Sequence, residues 1–336
     1  MGRKPWRSEE VDVAMYRYIV RRLIYVIPML LGISSLSFFI MQLAPGDALT
    51  QMALSPDVTE EIMEAMRARF WLDQPPYMQY FRWIVQLLKG DMGHSFLWHA
   101  PVAWVIRQRV FNSLLLTVAS LIVAWSLAIP IGIHSAVHQY SWSDKLLTFF
   151  AFIGVSIPNW FLGLLLLYLN LTRGWGLPIG GMTSIDFAEF TFWEKVVDLA
   201  RHMVLPVIVL STGTLASLMR YMRSNLLDVL RQDFVTTARA KGLAERVVIY
   251  KHAVRNAINP LITIFGFQLG GILGGASLTE IVMNWPGIGS LMLNAVQGQD
   301  YYLVMGNLVI GAVMLIIGNL TADVLLAASD PRIRYE

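Results

Sequence analysis

Long runs of apolar residues constrain this chain more than any other feature of its sequence. A helix needs roughly 20 apolar residues to cross about 30 Å of hydrocarbon, and six runs close to that length lack Asp, Glu, Lys and Arg. With 56% hydrophobic and 15% charged residues, the chain is too apolar for a water-soluble domain. The sequence therefore predicts an all-α integral membrane protein with six transmembrane helices. The predicted spans are Leu23–Leu43, Phe111–Val137, Leu146–Thr172, His202–Met219, Asn256–Thr279 and Leu303–Ala322.

The charge of the connecting segments predicts how these spans are oriented. Short segments rich in Lys and Arg stay on the cytoplasmic side of a membrane. Residues 1–22 and 220–255 are basic, and the C-terminal tail at 328–336 carries Arg332 and Arg334. Residues 173–201 and 280–302 lack an excess of basic side chains. Both termini are therefore predicted to be cytoplasmic, and the basic start is expected to precede an uncleaved signal anchor.

Residues 44–110, between the first two spans, are predicted to form a small external segment with short helices. Apolar residues recur at helical spacing over Ile62–Phe70 and again over Tyr77–Leu88, with Gln74-Pro75-Pro76 as a turn between them. A five-span core is expected to follow at residues 111–327. Four aromatic residues of the external segment suit either the membrane interface or ordinary packing. They are Tyr77, Tyr80, Phe81 and Trp83.

A basic loop at residues 224–256 is the most informative part of that core. Asp233 suits an N-cap and Gly242 suits the C′ position of a two-turn helix at Phe234–Lys241. A second helix, Glu245–Asn256, is predicted to run into the fifth span. A short exposed helix of this kind either docks in a groove of another protein or lies against anionic lipid headgroups.

Five separated motifs stand out along the chain. They are RRLIYVIPMLLGISSLSFFIMQLAPGD near the start, SIPNWFLGLLL in the third span, TARAKG in the basic loop, EIVMNWPGIGSLM after the fifth span and DPRIRY at the end. Together they resemble the membrane permeases of ABC importers, in particular the B-type subunit of the dipeptide and oligopeptide uptake family. The resemblance runs from about residue 16 to the C-terminus. In the basic loop, Thr236, Thr237 and Ala238 stand where the family's general motif has Glu-Ala-Ala, while Gly242 keeps its spacing.

The resemblance implies a type I-like importer permease in a prokaryotic plasma membrane. Its expected partners are a second homologous permease, two cytoplasmic ABC ATPases, an external substrate-binding protein and membrane lipid. Short peptides are the implied cargo, with an oligosaccharide, a nickel complex or another small solute as the alternative within the family.

The same resemblance implies a coupling helix around Phe234–Gly242 that sits in a cleft of an ATPase. Ala238 and Gly242 would permit close approach, and Arg239 and Lys241 would pair with acidic groups of the ATPase. The residues implied for coupling are Phe234, Ala238, Arg239, Lys241 and Gly242.

A second group of residues follows the fifth span. By resemblance, Glu280 and the turn that contains Trp285, Pro286 and Gly287 would line an outer gate or meet the binding protein. Independently of the family, Glu280 and Asp323 lie at the ends of spans, where a structural partner such as an arginine or a helix N-terminus is favoured over a functional role.

Other kinds of chemistry have little support in the sequence. The chain has no G-x-x-x-x-G-K-[ST] motif, so ATP and Mg²⁺ are expected on partner ATPases, with no cofactor on this chain. A net charge of +3 gives no reason to expect nucleic acid, and 0 cysteines exclude a thiolate nucleophile. His134 and His138 have metal-ligand spacing but lack a third ligand nearby. The alternatives from other classes are a secondary transporter, although the spans lack charged residues, and an intramembrane enzyme using Ser34 or Ser211 with His202.

Overall fold

The computed structural model describes residues 8–43, 49, 59–270 and 276–329, and their side chains except those of 8–23, 26, 69, 269–270 and 322–329. The described part of the chain is helical, as expected, with one 3₁₀ turn at Ile185–Glu189 and one π-helical stretch at Val247–Ala253. The α-helices are α1 Ser8–Gln42, α2 Glu60–Arg69, α3 Pro76–Leu88, α4 Val102–Val137, α5 Trp142–Ser156, α6 Asn159–Arg173, α7 Phe192–Leu230, α8 Asp233–Ala240, α9 Val254–Ala257, α10 Asn259–Gly270, α11 Ser277–Val282, α12 Ile288–Gln297 and α13 Tyr301–Ser329.

Several of these helices have the length and apolarity of membrane spans. Within the described residues, α4, α7 and the Tyr301–Thr321 part of α13 qualify on their own, and α5 with α6 makes up to a fourth. Helix α1 covers the first predicted span. The fifth is divided among α9, α10 and the start of α11, and residues 271–275 lie outside the described part. The prediction of several apolar spans is confirmed, whereas the count of six remains a prediction.

The third predicted span, Leu146–Thr172, is wrong as a single helix. Helices α5 and α6 meet at an angle of 104°. Ile157 is extended, at φ −86° and ψ 121°, because the ring of Pro158 disfavours the α-conformation in the residue before it. Pro158 also has no N–H to donate back into α5. The chain therefore breaks at this dipeptide.

The described residues form two compact units, of which one comprises residues up to Phe111 together with Ser290–Ile317. Its core is aromatic. The α1 residue Phe38 is buried and packs against Tyr80 and Tyr301. The two helices predicted in the external segment are present as α2 and α3. Trp83 is buried within this core, whereas Tyr77 and Phe81 are exposed, so α3 has one packed face and one open aromatic face.

A buried carboxylate caps the start of α13 within the same unit. One oxygen of Asp300 accepts a hydrogen bond from the Leu303 N–H at 3.1 Å. The other accepts from the Ser95 hydroxyl at 2.5 Å and from the Leu97 N–H at 3.2 Å. Asp300 therefore fastens the loop before α4 to the first turn of α13.

The second unit comprises Asn112–Gly289 and residues from Gly318, and α7 is its central element. Helix α7 begins at Phe192, ten residues before the predicted fourth span, because Thr191 and Glu194 form a capping box. It packs against α5 and α6 and approaches α4 closely at Gly132. A Cβ at Gly132 would lie 2.8 Å from the Met219 carbonyl oxygen, so the absent side chain sets the distance between the two backbones.

Candidate functional site

The predicted helix in the basic loop is present as α8, one residue earlier than expected. Gln232 holds the N-cap position, and Asp233 is the first helical residue, so the prediction of Asp233 as the N-cap is wrong by one position. At the other end, Gly242 adopts φ +74°. The Gly242 N–H donates to the Arg239 carbonyl at 2.9 Å, and the Leu243 N–H donates to the Ala238 carbonyl at 3.4 Å. This is the Schellman arrangement, which ends the helix after about two turns.

One edge of α8 is packed against its own chain. Val235 is fully buried, and Ala238 is 8% exposed. Both belong to a cluster with Leu226 and Val229 of α7 and with Val248 of the π-helix. Ala238 therefore faces inward. The expectation was that its small size permits close approach of an ATPase, whereas in this structure it allows α8 to lie close to α7.

The opposite edge of α8 is open. Phe234 is 38% exposed, and Arg239, Lys241 and Gly242 are exposed as well. Among the described residues, a Cβ at Gly242 would meet no atom within 4 Å. Glycine is required there for its left-handed backbone, not for close approach within the chain.

Arg239 already has a carboxylate partner within the chain. Its Nε donates to both oxygens of Glu245 at 3.2 Å, and its Nη2 donates to Oε1 at 2.7 Å. This hydrogen bonding raises the pKa of Arg239 and lowers the pKa of Glu245. Sequence reasoning missed Glu245, because the pair is joined across the turn at Gly242 and not along one helix face. Of the two cations implied for coupling, Arg239 is therefore paired within the chain. Lys241 forms no ion pair with the described residues.

The surface around α8 combines apolar and basic side chains. Leu243 is 41% exposed and Tyr250 is 61% exposed, while Arg246 and Lys251 are exposed beside them. Large apolar side chains at a protein surface mark interaction sites when they cluster, and cations around them favour an acidic partner. This surface has the composition of a docking site for another protein.

The second predicted group is built around the carboxylate of Glu280, which is 1% exposed. Its Oε1 accepts from the Ser113 hydroxyl at 2.5 Å, and its Oε2 accepts from the Gly289 N–H at 2.7 Å. Ser113 in turn accepts from the Ile288 N–H at 2.8 Å. Glu280 therefore joins α4 to the N-terminus of α12, where a negative charge is favoured by the helix dipole. The structural interpretation of Glu280, with a helix N-terminus as partner, agrees with this geometry.

The turn before α12 wraps this carboxylate. The side-chain amide of Asn112 donates to the Pro286 carbonyl at 2.8 Å. The backbone carbonyl of Asn112 accepts from the Trp285 indole N–H at 3.1 Å. Trp285 is fully buried, and a Cβ at Gly287 would overlap the Glu280 carboxylate. A contact of Glu280, Trp285 or Gly287 with a binding protein is inconsistent with this burial, whereas Pro286 is half-buried and keeps an accessible edge.

The remaining sequence candidates are Ser34, which lies in the first unit, and Ser211, His202, His134 and His138, which lie in the second. Ser211 and His202 both lie on α7, and nine residues at 100° each place them on opposite faces. The Ser211 hydroxyl donates to the Ile208 carbonyl, and His202 bonds the Asp198 carbonyl. The rings of His134 and His138 lie 4.4 Å apart, and no group of three metal-ligating side chains occurs among the described residues. The side chain of Asp323 lies outside the described part.

Comparison with known proteins covers almost the whole chain. Residues 128–335 match the family described as "Binding-protein-dependent transport system inner membrane component", and residues 15–119 match the N-terminal family of the same transport systems. The oligopeptide transport system permease protein AppB of Bacillus subtilis (strain 168) is 42% identical over 323 residues, covering 96% of this chain and 100% of that protein. The glutathione transport system permease protein GsiC of Escherichia coli (strain K12) is 36% identical over 323 residues, with the same coverage of both chains.

A solved structure shares the fold. It is an inward-facing conformation of the MetNI methionine ABC transporter, with a TM-score of 0.53 and 15% sequence identity over 68% of this chain and 97% of that chain. Together with the two family matches and the two full-length relatives, these findings show that the chain belongs to the family of binding-protein-dependent transport system inner membrane components, as a non-catalytic, multi-pass permease of the bacterial inner membrane.

Proposed function

We propose that this chain and a second homologous permease form the translocation pathway of an ATP-driven ABC importer for short peptides. Two full-length relatives are named for the transport of oligopeptides and of glutathione, and both cargoes are short peptide-like molecules. Import of an oligosaccharide, a nickel complex or another small solute remains the alternative within the family.

The observation that carries the proposal is the open edge of α8. One side of the helix is fixed to α7 through Val235 and Ala238, so a push on the exposed side is transmitted into a long apolar helix. Its exposed Phe234 and Lys241 suit a cleft with an apolar floor and an acidic rim. ATP and Mg²⁺ are bound by partner ATPases in this proposal, because the chain carries no phosphate-binding loop.

The topology that fits this role has six spans with both termini in the cytoplasm. The basic residues around α8 favour the cytoplasmic side. The segment between α1 and α4 and the turn at 284–289 then lie outside, where an external binding protein docks. Asn284 is exposed at φ +50°, and it is a better contact for that protein than the buried Trp285.

Co-purification tests the assembly. The tagged chain, extracted in mild detergent from its native membrane, is expected to bring with it a second permease and one or two ATPases identified by mass spectrometry. Repeated recovery of this chain alone, with transport intact, would exclude the importer-subunit role and favour a secondary transporter.

Substitution of Gly242 tests the docking of α8. Gly242→Val opposes the left-handed backbone and is expected to lower both ATPase recovery and uptake at least fivefold. Gly242→Asn is the matched variant, because asparagine tolerates this conformation, and it should keep most of both. Uptake unaffected by Gly242→Val would remove α8 from the coupling pathway.

Competition experiments address the cargo. Uptake of a labelled tripeptide into cells or vesicles that contain the complete transporter should be reduced by unlabelled oligopeptides or by glutathione. Inhibition only by an oligosaccharide or a nickel complex would replace the peptide assignment and leave the importer class unchanged.

A further inference from the structure

A further buried carboxylate, that of Asp144 at the start of α5, takes no part in the interactions described above. It is 3% exposed. Arg223 of α7 binds it through two parallel hydrogen bonds, Nε to Oδ1 and Nη2 to Oδ2, both at 2.8 Å. The Ser135 hydroxyl donates to Oδ1, and the Tyr140 N–H donates to Oδ2 at 2.9 Å. A carboxylate held by donors from α4, the α4–α5 turn and α7 fixes the relative position of all three.

The geometry of this pair restricts sliding. Two parallel N–H to oxygen bonds from a planar guanidinium specify both distance and orientation, and a buried charge that loses its partner is strongly disfavoured. Ser135 and Tyr140 hold the carboxylate from the other side. The α4–α5 turn therefore cannot shift along α7 without breaking several charge-assisted hydrogen bonds at once.

Arg223 lies on the part of α7 that leads to α8. The next residues on the inward face, Leu226 and Val229, belong to the apolar cluster that holds Val235 and Ala238 of α8. Ile133 and Ala136 of α4, on either side of Ser135, are members of the same cluster. The ion pair and the cluster thus share α4 and α7: polar, directional contacts join these helices to the start of α5, and apolar contacts join them to α8.

We propose that Asp144 and Arg223 are positioning residues that make the α4–α5 turn and α8 move as one rigid body. This inference rests on the proposed docking of an ATPase on α8. Movement of α8 then reaches the α5–α6 pair through its first turn, in addition to the route along α7. Without the pair, α8 moves with the ATPase but the α4–α5 turn does not follow it fully. Less cargo is then transported per ATP hydrolysed.

Functional assays measure this coupling in the complete transporter reconstituted in proteoliposomes with its binding protein. Asp144→Asn is expected to reduce the uptake of a labelled tripeptide per ATP hydrolysed at least fivefold. Arg223→Lys, which keeps the charge but loses the paired geometry, should give an intermediate ratio. Asp228→Asn is the matched control, because Asp228 is an exposed carboxylate on the same helix. If uptake and ATP hydrolysis fall together in Asp144→Asn, the uptake per ATP hydrolysed stays unchanged. The pair would then have a purely structural role, and the proposal would be overturned.

Spin labels provide a readout that does not need a variant of the ion pair. The chain has 0 cysteines, so labels at Trp142→Cys and Thr236→Cys, both exposed positions, can be attached before reassembly with the ATPases. The distance between them should be the same within about 2 Å with and without trapped nucleotide if the elements form one rigid body of close-packed side chains. A larger change overturns the proposal. The mobility of the label at position 236 reports separately on docking. If adding the ATPases does not restrict this label, the ATPase does not dock on α8, whatever the measured distance is.

Discussion

Glu280 shows, at the scale of a single residue, how an ionised side chain is accommodated in a largely apolar chain. Ser113 and the Gly289 N–H both donate to it, and Gly287 leaves the space that its carboxylate occupies. A charge that is hydrogen-bonded in this way costs much less to bury than an isolated one. These hydrogen bonds hold the turn before α12 against α4.

Replacement of Glu280 should measure that role. Glu280→Ala leaves buried donors without an acceptor and is expected to lower the free energy of unfolding by about 3 kcal/mol. Glu280→Gln keeps one acceptor oxygen and should cost about 1 kcal/mol. Thermal unfolding of the purified chain in detergent tests the order; equal stability of the two variants would show that the hydrogen bonds contribute little.

Asp300 gives a pH-dependent prediction at the same scale. Burial raises its pKa above the usual value of 3.8, so between that value and the raised one the folded state binds a proton that the unfolded state has released. Its contribution to stability is greatest at low pH and is lost as the pH rises through the raised pKa.

The difference in unfolding temperature between the wild type and Asp300→Asn isolates this titration, because the other groups are common to both proteins. The wild type should lose stability relative to the variant as the pH rises from about 4 through the raised pKa of Asp300. A difference that stays constant over this range, or that changes in the opposite direction, would contradict the direction of the pKa shift.

At the scale of helices, the contact of α4 with α7 at Gly132 depends on the absence of a side chain. Gly132→Ala would place a Cβ 2.8 Å from a backbone carbonyl, which cannot move aside without shifting a helix. We expect a loss of about 2 kcal/mol in the free energy of unfolding. Gly32→Ala in α1 is the matched control, because a Cβ there meets no atom of the described part of the chain within 4 Å. It should be neutral or stabilising by up to about 1 kcal/mol. Similar effects of the two substitutions on detergent unfolding would argue against a tight α4–α7 contact.

At the scale of the whole molecule, the 104° bend between α5 and α6 allows two paths of the chain: one broken span that crosses the membrane, or a re-entrant pair that returns to the same side. If the pair is one broken span, Tyr140 and Asp186 lie on opposite sides of the membrane. If the pair is re-entrant, they lie on the same side. Positive-inside orientation favours a cytoplasmic Tyr140 and an external Asp186.

Labelling of single cysteines separates these two cases. With a membrane-impermeant maleimide on intact cells, Asp186→Cys should react at once and Tyr140→Cys only after permeabilisation. Thr236→Cys is the control for the cytoplasmic side. Identical labelling of positions 140 and 186 would establish a re-entrant pair and reduce the number of spans.

Local features of this fold were predictable from the sequence, and long-range ones were not. The helix at α8 was predicted to within one residue, because Gly242 ends it through its own backbone preference. Pro158 is an equally local signal for the break after α5. However, Pro28, Pro130 and Pro206 lie inside continuous helices. A proline in the sequence therefore does not by itself predict where a helix breaks. The contacts of Glu280 with Ser113 and of Asp144 with Arg223 join residues 167 and 79 positions apart. No periodic pattern relates such pairs.

The π-helix at Val247–Ala253 explains a spacing that looks irregular in the sequence. From this stretch through α10, the residues that belong to the apolar cluster with Leu226 and Val229 are Val248, Ala253, Ala257 and Leu261, while Ile249 is buried outside that cluster. Along the cluster, a step of five is followed by two steps of four. In an α-helix a step of five turns a side chain about 140° away from the starting face, and the wider π-turn absorbs that extra residue. The stretch therefore acts as a one-residue insertion that the π-turn accommodates. Removal of one exposed residue from it, such as Lys251, would restore the α-helical register and leave the buried face of α10 in place.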